Sequence, residues 1–478
     1  MTELYLGIDI GTTGTKSVVA DSCGRPLKKG HYEYSLSTPF AGAFEQNPNK
    51  WYKGTVESVR QALKGLNRIE VKAVSLSAQG GSFFVAENKD GEFFPITDAY
   101  TWMDIRAEDV FNKISEEISP EEFYKITGWR LSSSSMFCKL LWLKKNAPEI
   151  FKRADMFFTT SDYIYYKLTG KTVIDYTGAA LTGLFDVNTK KWSERLLGLV
   201  GISEKQLPTL MQAGREIGNL KTEAAEETGL TTEVTAICGV HDQYAVSIAS
   251  GTASKNDIFI SAGTTWVVFG ISEELHFSKK FLSPCPHPFG GYGVIGSAVS
   301  SGTVMEWMRK QFGVSFEEIE EQASNRETDC GLMVYPFITG CGDYRDDKDV
   351  GAAIIGLSFK HDKFDVIRAS MEGVAFEIKT LLCEFEKSGV KVERIKIAGG
   401  GAKSELWVKI LASVLEKEIF VLSEKDACAL GAAVLASKNL SADILSGKIV
   451  VPDVKLTKIY KEKYLRYSEN VTRAKNIR

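Results

Sequence analysis

The stretch "LGIDIGTTGTKSVVAD", Leu6 to Asp21, opens on an apolar run that a carboxylate interrupts. Ile8 and Ile10, with Val18 and Val19 beyond the break, are strand-forming residues, so Asp9 is a costly choice for a strand buried on both faces. The residues that follow, Gly11-Thr12-Thr13-Gly14-Thr15-Lys16, are small and hydroxylated. Such a loop lets backbone N–H groups come close to an anion. A P-loop would need Gly-Lys-Ser/Thr entering a helix, but here Thr15 precedes Lys16 and the chain returns to a strand at "KSVVAD". The Gly-x-Gly-x-x-Gly dinucleotide fingerprint is absent as well. The pattern predicts a strand, a Gly/Thr turn and a strand, with phosphate at the tip and Asp9 beside it holding a metal ion through water. The alternative is a tight hairpin in which Asp9 caps its own turn.

The plan returns at "DIFISAGTTWVVFG", Asp257 to Gly270, where Gly263-Thr264-Thr265 stands between apolar strands. Spaced by half the chain, this is a duplicated architecture and not a short-period solenoid. It predicts paired α/β lobes around a central cleft, gripping one phosphate chain from both sides. No Pro/Gly/Ser-rich linker divides the chain, so the repeated hairpins place the boundary, giving lobes at 1–248 and 249–478. A helical period runs from Asp365 to Lys387, with Asp365 as its expected N-cap and Gly389 as its stop.

The chain has 478 residues, of which 44% are hydrophobic and 25% charged, enough for two ordinary cores. A net charge of −3 and the absence of a Lys/Arg block exclude an electrostatic footprint for nucleic acid. No apolar run reaches membrane-spanning length, and the first residues enter a strand without a signal peptide. The eight cysteines contain no Cys-x-x-Cys pair and read as reduced thiols of a cytoplasmic protein, and the five histidines lack zinc-site spacing.

Three further segments carry chemistry. In "KIAGGGAKSELWVKILASVLEKEI", Lys396 to Ile419, a strand runs into Gly399-Gly400-Gly401 before a helix that begins near Ser404. That leaves a strip of bare backbone for adenine, ribose or phosphate, or else a flexible connection. "CALGAAVLA" around Gly431 is either close helix packing behind a nucleotide or a direct contact. In "TWMDIRA", Trp102, Asp104 and Arg106 alternate, so an extended segment points all three one way, as a polyhydroxylated ligand needs, or else they are a surface ion pair beside a core Trp. "SLSAQGGSFF" ends a strand at Gln79 and leaves Gly80-Gly81 open. In "AICGVHDQYAVSIASG" a strand ends at Gly239 and Asp242-Gln243 follow, with Asp242 placed to take a proton from a hydroxyl or to cap the next helix.

Taken together, these motifs resemble the FGGY family of carbohydrate kinases, within the actin-like ATPase superfamily. The resemblance, xylulokinase-like in character, runs from Leu6 to about Ala436 and includes "FEQNP" at 44 to 48, "KLLWL" at 139 to 143, "SGTVMEW" at 301 to 307 and "GAAIIGLSFKHDKFDVIRASMEG" at 351 to 373. Met136 departs from the family's first signature. The resemblance implies two actin-like (ribonuclease H-like) lobes, with ATP and Mg²⁺ as cofactors, a small-molecule sugar or polyol as partner, and room for a homodimer. By position it implies Asp242 as general base and Gln79, Trp102, Asp104, Asp242 and Gln243 at the acceptor. It implies Asp9 at the metal, with Gly11, Thr12, Thr13, Thr264, Thr265, Gly302, Gly400 and Gly401 at the nucleotide. Arg106 receives no role. Where glycerol kinases carry Arg-Glu and xylulokinases Met-His, this chain has Gly80-Gly81, which leaves space for an acceptor longer than glycerol. The implied reaction is ATP-dependent phosphorylation of a ketopentose such as xylulose or a related ketose. The alternatives are a polyol or sugar acid, such as erythritol or gluconate, and, in another class, an actin-like ATPase without a sugar.

Overall fold

A computed structural model describes residues 3–251, 256–280, 282–341, 351–423, 426–439 and 446–474. The chain forms two compact units, and neither is a contiguous half. One comprises Met1–Ala253, Pro284–Tyr292 and Asp426–Ile444, and the other Ser254–Ser283, Gly293–Lys425 and Leu445–Arg478.

The first unit is built on a six-stranded sheet in the order Glu216–Asn219, Thr235–His241, Val71–Ala78, Leu4–Ile10, Gly14–Asp21, Pro26–Glu33. The last three follow one another as an antiparallel meander, while Leu4–Ile10, Val71–Ala78 and Thr235–His241 are parallel neighbours. Parallel neighbours need crossovers, and the helices that supply them cover the sheet, so these strands read as near-continuous apolar runs. Leu6, Ile8, Ile10, Val74 and Leu76 are buried accordingly.

The second unit repeats the plan. Strands Asp257–Ala262 and Trp266–Ser272 form an antiparallel hairpin, Asp257–Ala262 runs parallel to Arg394–Ala398, and that strand runs parallel to Ile419–Leu422. An antiparallel strand, Gly447–Val450, follows, as Glu216–Asn219 does in the first unit. This is the ribonuclease H-like arrangement twice over, the duplication that the two Gly-Thr-Thr segments announce. The long helix spans Lys363–Lys387, two residues earlier than the sequence suggests. Asp362 is its N-cap, and Asp365 sits at the third helical position, closing a capping box.

The helix Ala427–Ser437 belongs to the first unit despite its late place in the chain. It lies so close to the sheet that a Cβ built on Gly7 meets the Ala429 carbonyl oxygen at 1.9 Å, and one on Gly431 meets the Ala245 carbonyl oxygen at 1.8 Å. The small-residue run is therefore a packing device of this unit, and both obstacles are backbone that has no rotamer to yield. Gly7→Ala is expected to destabilise the protein by about 3 kcal/mol, the upper range for overpacking. Chemical denaturation checks this, and a change within the roughly 0.5 kcal/mol of an ordinary surface substitution contradicts it.

Candidate active site

Register builds the first half of the site. Ile10 pairs with Ala78, and Ala78 pairs with His241, so three adjacent parallel strands end level with one another. The next residues in each chain segment, Gly11-Thr12, Gln79 and Asp242, therefore emerge side by side. Carboxyl ends of parallel strands are where open α/β sheets place ligands.

The hairpin tip is braced from several sides. Thr12 Oγ1 donates to Gln79 Oε1 at 3.1 Å and accepts from Trp102 Nε1 at 3.1 Å. Gln46 Nε2 donates to the Thr12 carbonyl, while Gln46 Oε1 accepts from Gln79 Nε2 at 3.1 Å and Trp51 Nε1 at 3.0 Å. Tyr34 donates its hydroxyl to the Gly11 carbonyl at 2.7 Å and its N–H to that of Thr13 at 3.1 Å. Gln46 is buried, and its role was invisible in the sequence beyond its place in "FEQNP".

Asp9 pairs across the sheet with Ser77, whose hydroxyl donates to its Oδ1 at 2.9 Å. Burial first, and then the negative charge of Asp242, push the Asp9 carboxyl up to about 7. The hydrogen bond described for this carboxylate thus comes from the neighbouring strand. Asp242 behaves differently. Burial would raise its carboxyl, but the charge and hydrogen bond of His241, with Nε2 3.0 Å from Oδ1, and the hydrogen bonds of Gln243 together outweigh this and hold it below the usual carboxylate range. The N-cap position is taken by His241, and Asp242 is the first residue of the helix Asp242–Ala249. Thr177 fixes the backbone there, accepting from the His241 N–H at 2.8 Å while donating to buried Asp175. Beside Asp242, the buried Gln243 Oε1 has no donor among the described residues.

The "TWMDIRA" segment corrects the sequence reading. It is turned, with the Asp104 N–H donating to the Thr101 carbonyl at 3.1 Å, so its alternate residues do not share a face. Trp102 is 47% exposed, whereas Asp104 is 0% exposed. Asp104 Oδ2 accepts from the Phe44 N–H at 2.8 Å and from Arg106 Nη2 at 2.8 Å, and Arg106 Nη2 also reaches Glu45 at 2.6 Å. Asp104 is thus withdrawn from the surface that Trp102 presents into a buried ion cluster with Arg106 and Glu45. Gly80 is corrected too: a Cβ there meets Leu181 Cδ1 at 2.0 Å, so the space it vacates is filled by leucine. What remains open is a cavity of 190 Å³ lined by Gly80, Gly81, Trp102, Arg130, Ser134 and Leu181 among others.

In the second unit, Ser261 pairs with Ala398, so the Gly263-Thr264-Thr265 turn and the Gly399-Gly400-Gly401 turn leave adjacent strand ends. Thr264, Gly302, Gly400 and Gly401 line one cavity of 670 Å³, walled by Phe316, Ile319, Met371 and Trp407. Gly399 has φ +112° with a Cβ position 2.7 Å from the Ala262 carbonyl oxygen, and Gly401 abuts Trp266 at 2.7 Å. Only Gly400 of the three is bare for the cavity's sake. Gly302 lets its helix start against the turn, where Thr303 donates its N–H to the Thr264 carbonyl at 3.0 Å. Thr265 is not among the cavity's lining residues, and its hydroxyl donates to the Val299 carbonyl at 3.3 Å.

Lys139, which the sequence shows only as the first residue of "KLLWL", is buried in the helix Met136–Asn146. Its Nζ donates to the carbonyls of Thr101 at 2.7 Å and Gly81 at 3.3 Å, tying together the segments around Gly81 and Trp102. Burial, opposed by the charge of Asp104, lowers its ammonium from 10.5 to about 7. The unfolded chain therefore binds the extra proton across that window, and the protein gains stability as pH rises through it. Relative to Lys139→Met, the parent is expected to gain about 1.4 kcal/mol per pH unit between pH 7 and 10. Parallel stability profiles for the two proteins contradict this.

Comparison with known proteins agrees with this geometry. The profile of the FGGY family of carbohydrate kinases, N-terminal domain, matches residues 4–249, and that of its C-terminal domain matches residues 258–440. A gluconokinase of Bacillus licheniformis is 28% identical over 468 residues, covering 94% of this chain and 91% of the relative. A xylulose kinase of Bacillus subtilis is 26% identical, covering 91% and 88%. The crystal structure of a gluconate kinase from Lactobacillus acidophilus superposes with a TM-score of 0.91 at 24% identity, over 99% of each chain. The chain belongs to the FGGY family of carbohydrate kinases.

Proposed function

We propose that the chain transfers the γ-phosphoryl of ATP to a hydroxyl of a five- or six-carbon sugar or sugar acid, with Asp242 as the general base. One observation carries this: the Asp242 carboxyl, 3.0 Å from His241 Nε2, stands beside the unpartnered acceptor Gln243 Oε1 at the strand ends that also present the Gly/Thr turn. A hydroxyl donating to Gln243 or Asp242 satisfies a buried acceptor that is otherwise left unmade. A water-positioning ATPase has no need of the adjoining cavity walled by Trp102.

The chain's residues divide the work. The acceptor oxygen bonds to the γ-phosphorus as the bond from that phosphorus to the β–γ bridging oxygen breaks, leaving ADP, and the hydroxyl proton passes to an Asp242 oxygen. Backbone N–H groups around Thr12 and Thr13 in the first unit, and those around Thr264 in the second, are the donors available to phosphate oxygens. Phe316, Ile319 and Trp407 supply apolar walls for adenine, with Gly400 the bare backbone it lies against. Among the described residues no cluster of three or more His, Cys, Asp or Glu side chains is arranged for a metal ion. Mg²⁺ fits that result, because it takes one or two carboxylates and completes its shell with phosphates and waters. Asp9, with Asp242 near enough to raise its carboxyl, is the group that would hold it. When bound, the ion neutralises charge on the phosphates. All eight cysteines are free, which suits the reducing cytoplasm where ATP is plentiful.

The expected acceptors are ketopentoses such as xylulose, and gluconate or another sugar acid. ADP release with Mg²⁺ and ATP across pentoses, ketopentoses, hexuloses, polyols and sugar acids tests the proposal. One acceptor is expected to raise release far above the rate with ATP alone. ATP hydrolysis at one rate whatever is added contradicts a kinase and favours an acceptor-free ATPase.

A further inference from the structure

The 670 Å³ cavity of the second unit is walled by segments that lie far apart in the chain. One is the nine-residue helix Phe316–Ser324, whose Phe316 and Ile319 give an apolar side. Another is the run from Gly400 to Trp407, which gives bare backbone at one end and an indole ring at the other. The width between these two decides whether a flat base fits. No local turn sets that width, since Glu320 on the first segment and Ser404 on the second are 84 residues apart.

Glu320, itself a lining residue, joins the two with both carboxylate oxygens. Its Oε2 accepts from the Ser404 hydroxyl at 2.6 Å, and its Oε1 accepts from the Leu406 N–H at 2.6 Å. Ser404 is already the N-cap of the eleven-residue helix Glu405–Leu415, accepting from the Trp407 N–H at 3.0 Å. A serine suffices for that task, so the helix start does not need a carboxylate brought from another element. What the carboxylate adds is a fixed separation. The short turn Gly401–Lys403 links Gly400 to Ser404, so a bond to Ser404 also sets the place of the glycine strip. On the facing helix, Arg368 Nη1 donates to the Ala323 carbonyl at 2.9 Å and holds the last turn. The first turn is different: Phe316 is 56% exposed, and burial of its ring does not hold it.

Resting on the kinase reading above, we propose that Glu320 is a positioning residue for the nucleotide. It ties the helix Phe316–Ser324 to the glycine strip and so sets the width of the slot that takes the base. It touches no reacting atom and acts through Ser404 and the backbone of Leu406. A carboxylate suits the task because its two oxygens accept from two donors at once, and charge-assisted bonds of this kind are stronger than neutral ones.

The test measures ATP binding by calorimetry, with Mg²⁺ and without acceptor, and steady-state kinetics with the acceptor that drives ADP release. Glu320→Ala is expected to raise Kd and KM for ATP by about 10- to 100-fold, the span of hydrogen bonds to a charged group, while kcat and the acceptor KM stay within about 3-fold. Glu320→Gln keeps an acceptor for the Leu406 N–H and can donate to Ser404, so its Kd for ATP is expected about 3- to 10-fold above the parent's. Ser404→Ala is expected to cost less ATP affinity in the Glu320→Ala background than in the parent, because the two residues share one bond. An unchanged Kd for ATP in either Glu320 variant overturns the inference, as does an equal rise in KM for ATP and acceptor. Each of these leaves the kinase reading standing. If Glu320→Ala does not fold, Glu320→Gln decides alone by the same Kd. A parent protein that binds no ATP overturns the kinase reading, and this inference with it.

Discussion

Three parallel strands that end in register are the constraint on which this site depends. Ile10, Ala78 and His241 are cross-strand partners, so the Gly/Thr turn, Gln79 and Asp242 leave the sheet at one level. Because side chains alternate along a strand, a slip of one residue would turn Asp9 away from Ser77 and carry Asp242 off the line. Packing on both faces prevents the slip, since it would move Gly7 away from the helix that lies against it and drive a side chain into the Ala429 carbonyl. Hydrophobic packing thus positions the polar groups, and the turn needs only local bracing by Gln46, Gln79 and Tyr34.

The same economy appears beneath Trp102. Asp104, Arg106 and Glu45 form a buried ion cluster whose desolvation is repaid only by good geometry, and Arg106 also stacks on Tyr100 with 4.4 Å from its guanidinium carbon to the ring centroid. Such clusters contribute little net stability, but removing one member strands the others. Here the cluster and Lys139 fix a turned segment that a hydrophobic core alone would leave adjustable. The exposed Trp102 is the surface product of that buried arrangement.

Much of this was legible in the sequence because it follows from residue type and spacing. The Gly-Thr-Thr hairpins, the helix begun by Ser404 and the two-fold plan of the fold follow from periodicity and turn chemistry, whereas the strand read as ending at Gly239 runs on to His241. The failures have a common physical cause. The alternation of Trp102, Asp104 and Arg106 implies a shared face only if the backbone is extended, and the turn at Thr101 breaks that condition. Gly80 looked like open space because its filler, Leu181, lies about a hundred residues along the chain, and nothing local announces it. The same holds for Gln46, Thr177 and the late helix 427–437, each of which acts through a long-range contact. A glycine's missing side chain says that something comes close, without saying whether it is ligand, leucine or backbone.

The central claim is that Asp242 accepts the proton of the hydroxyl that attacks phosphorus. His241 and Gln243 beside it hold this carboxyl below the usual range, so its task is position more than basicity. Asn preserves the shape and the helix start but cannot take a proton. The most direct measurement is kcat and acceptor affinity on purified Asp242→Asn. A fall in kcat of roughly 10²- to 10⁴-fold is predicted, the range for a positioned acid–base group, with acceptor binding kept within a few-fold. Turnover within a few-fold of the parent protein would contradict the assignment and leave Asp242 as no more than the first residue of its helix.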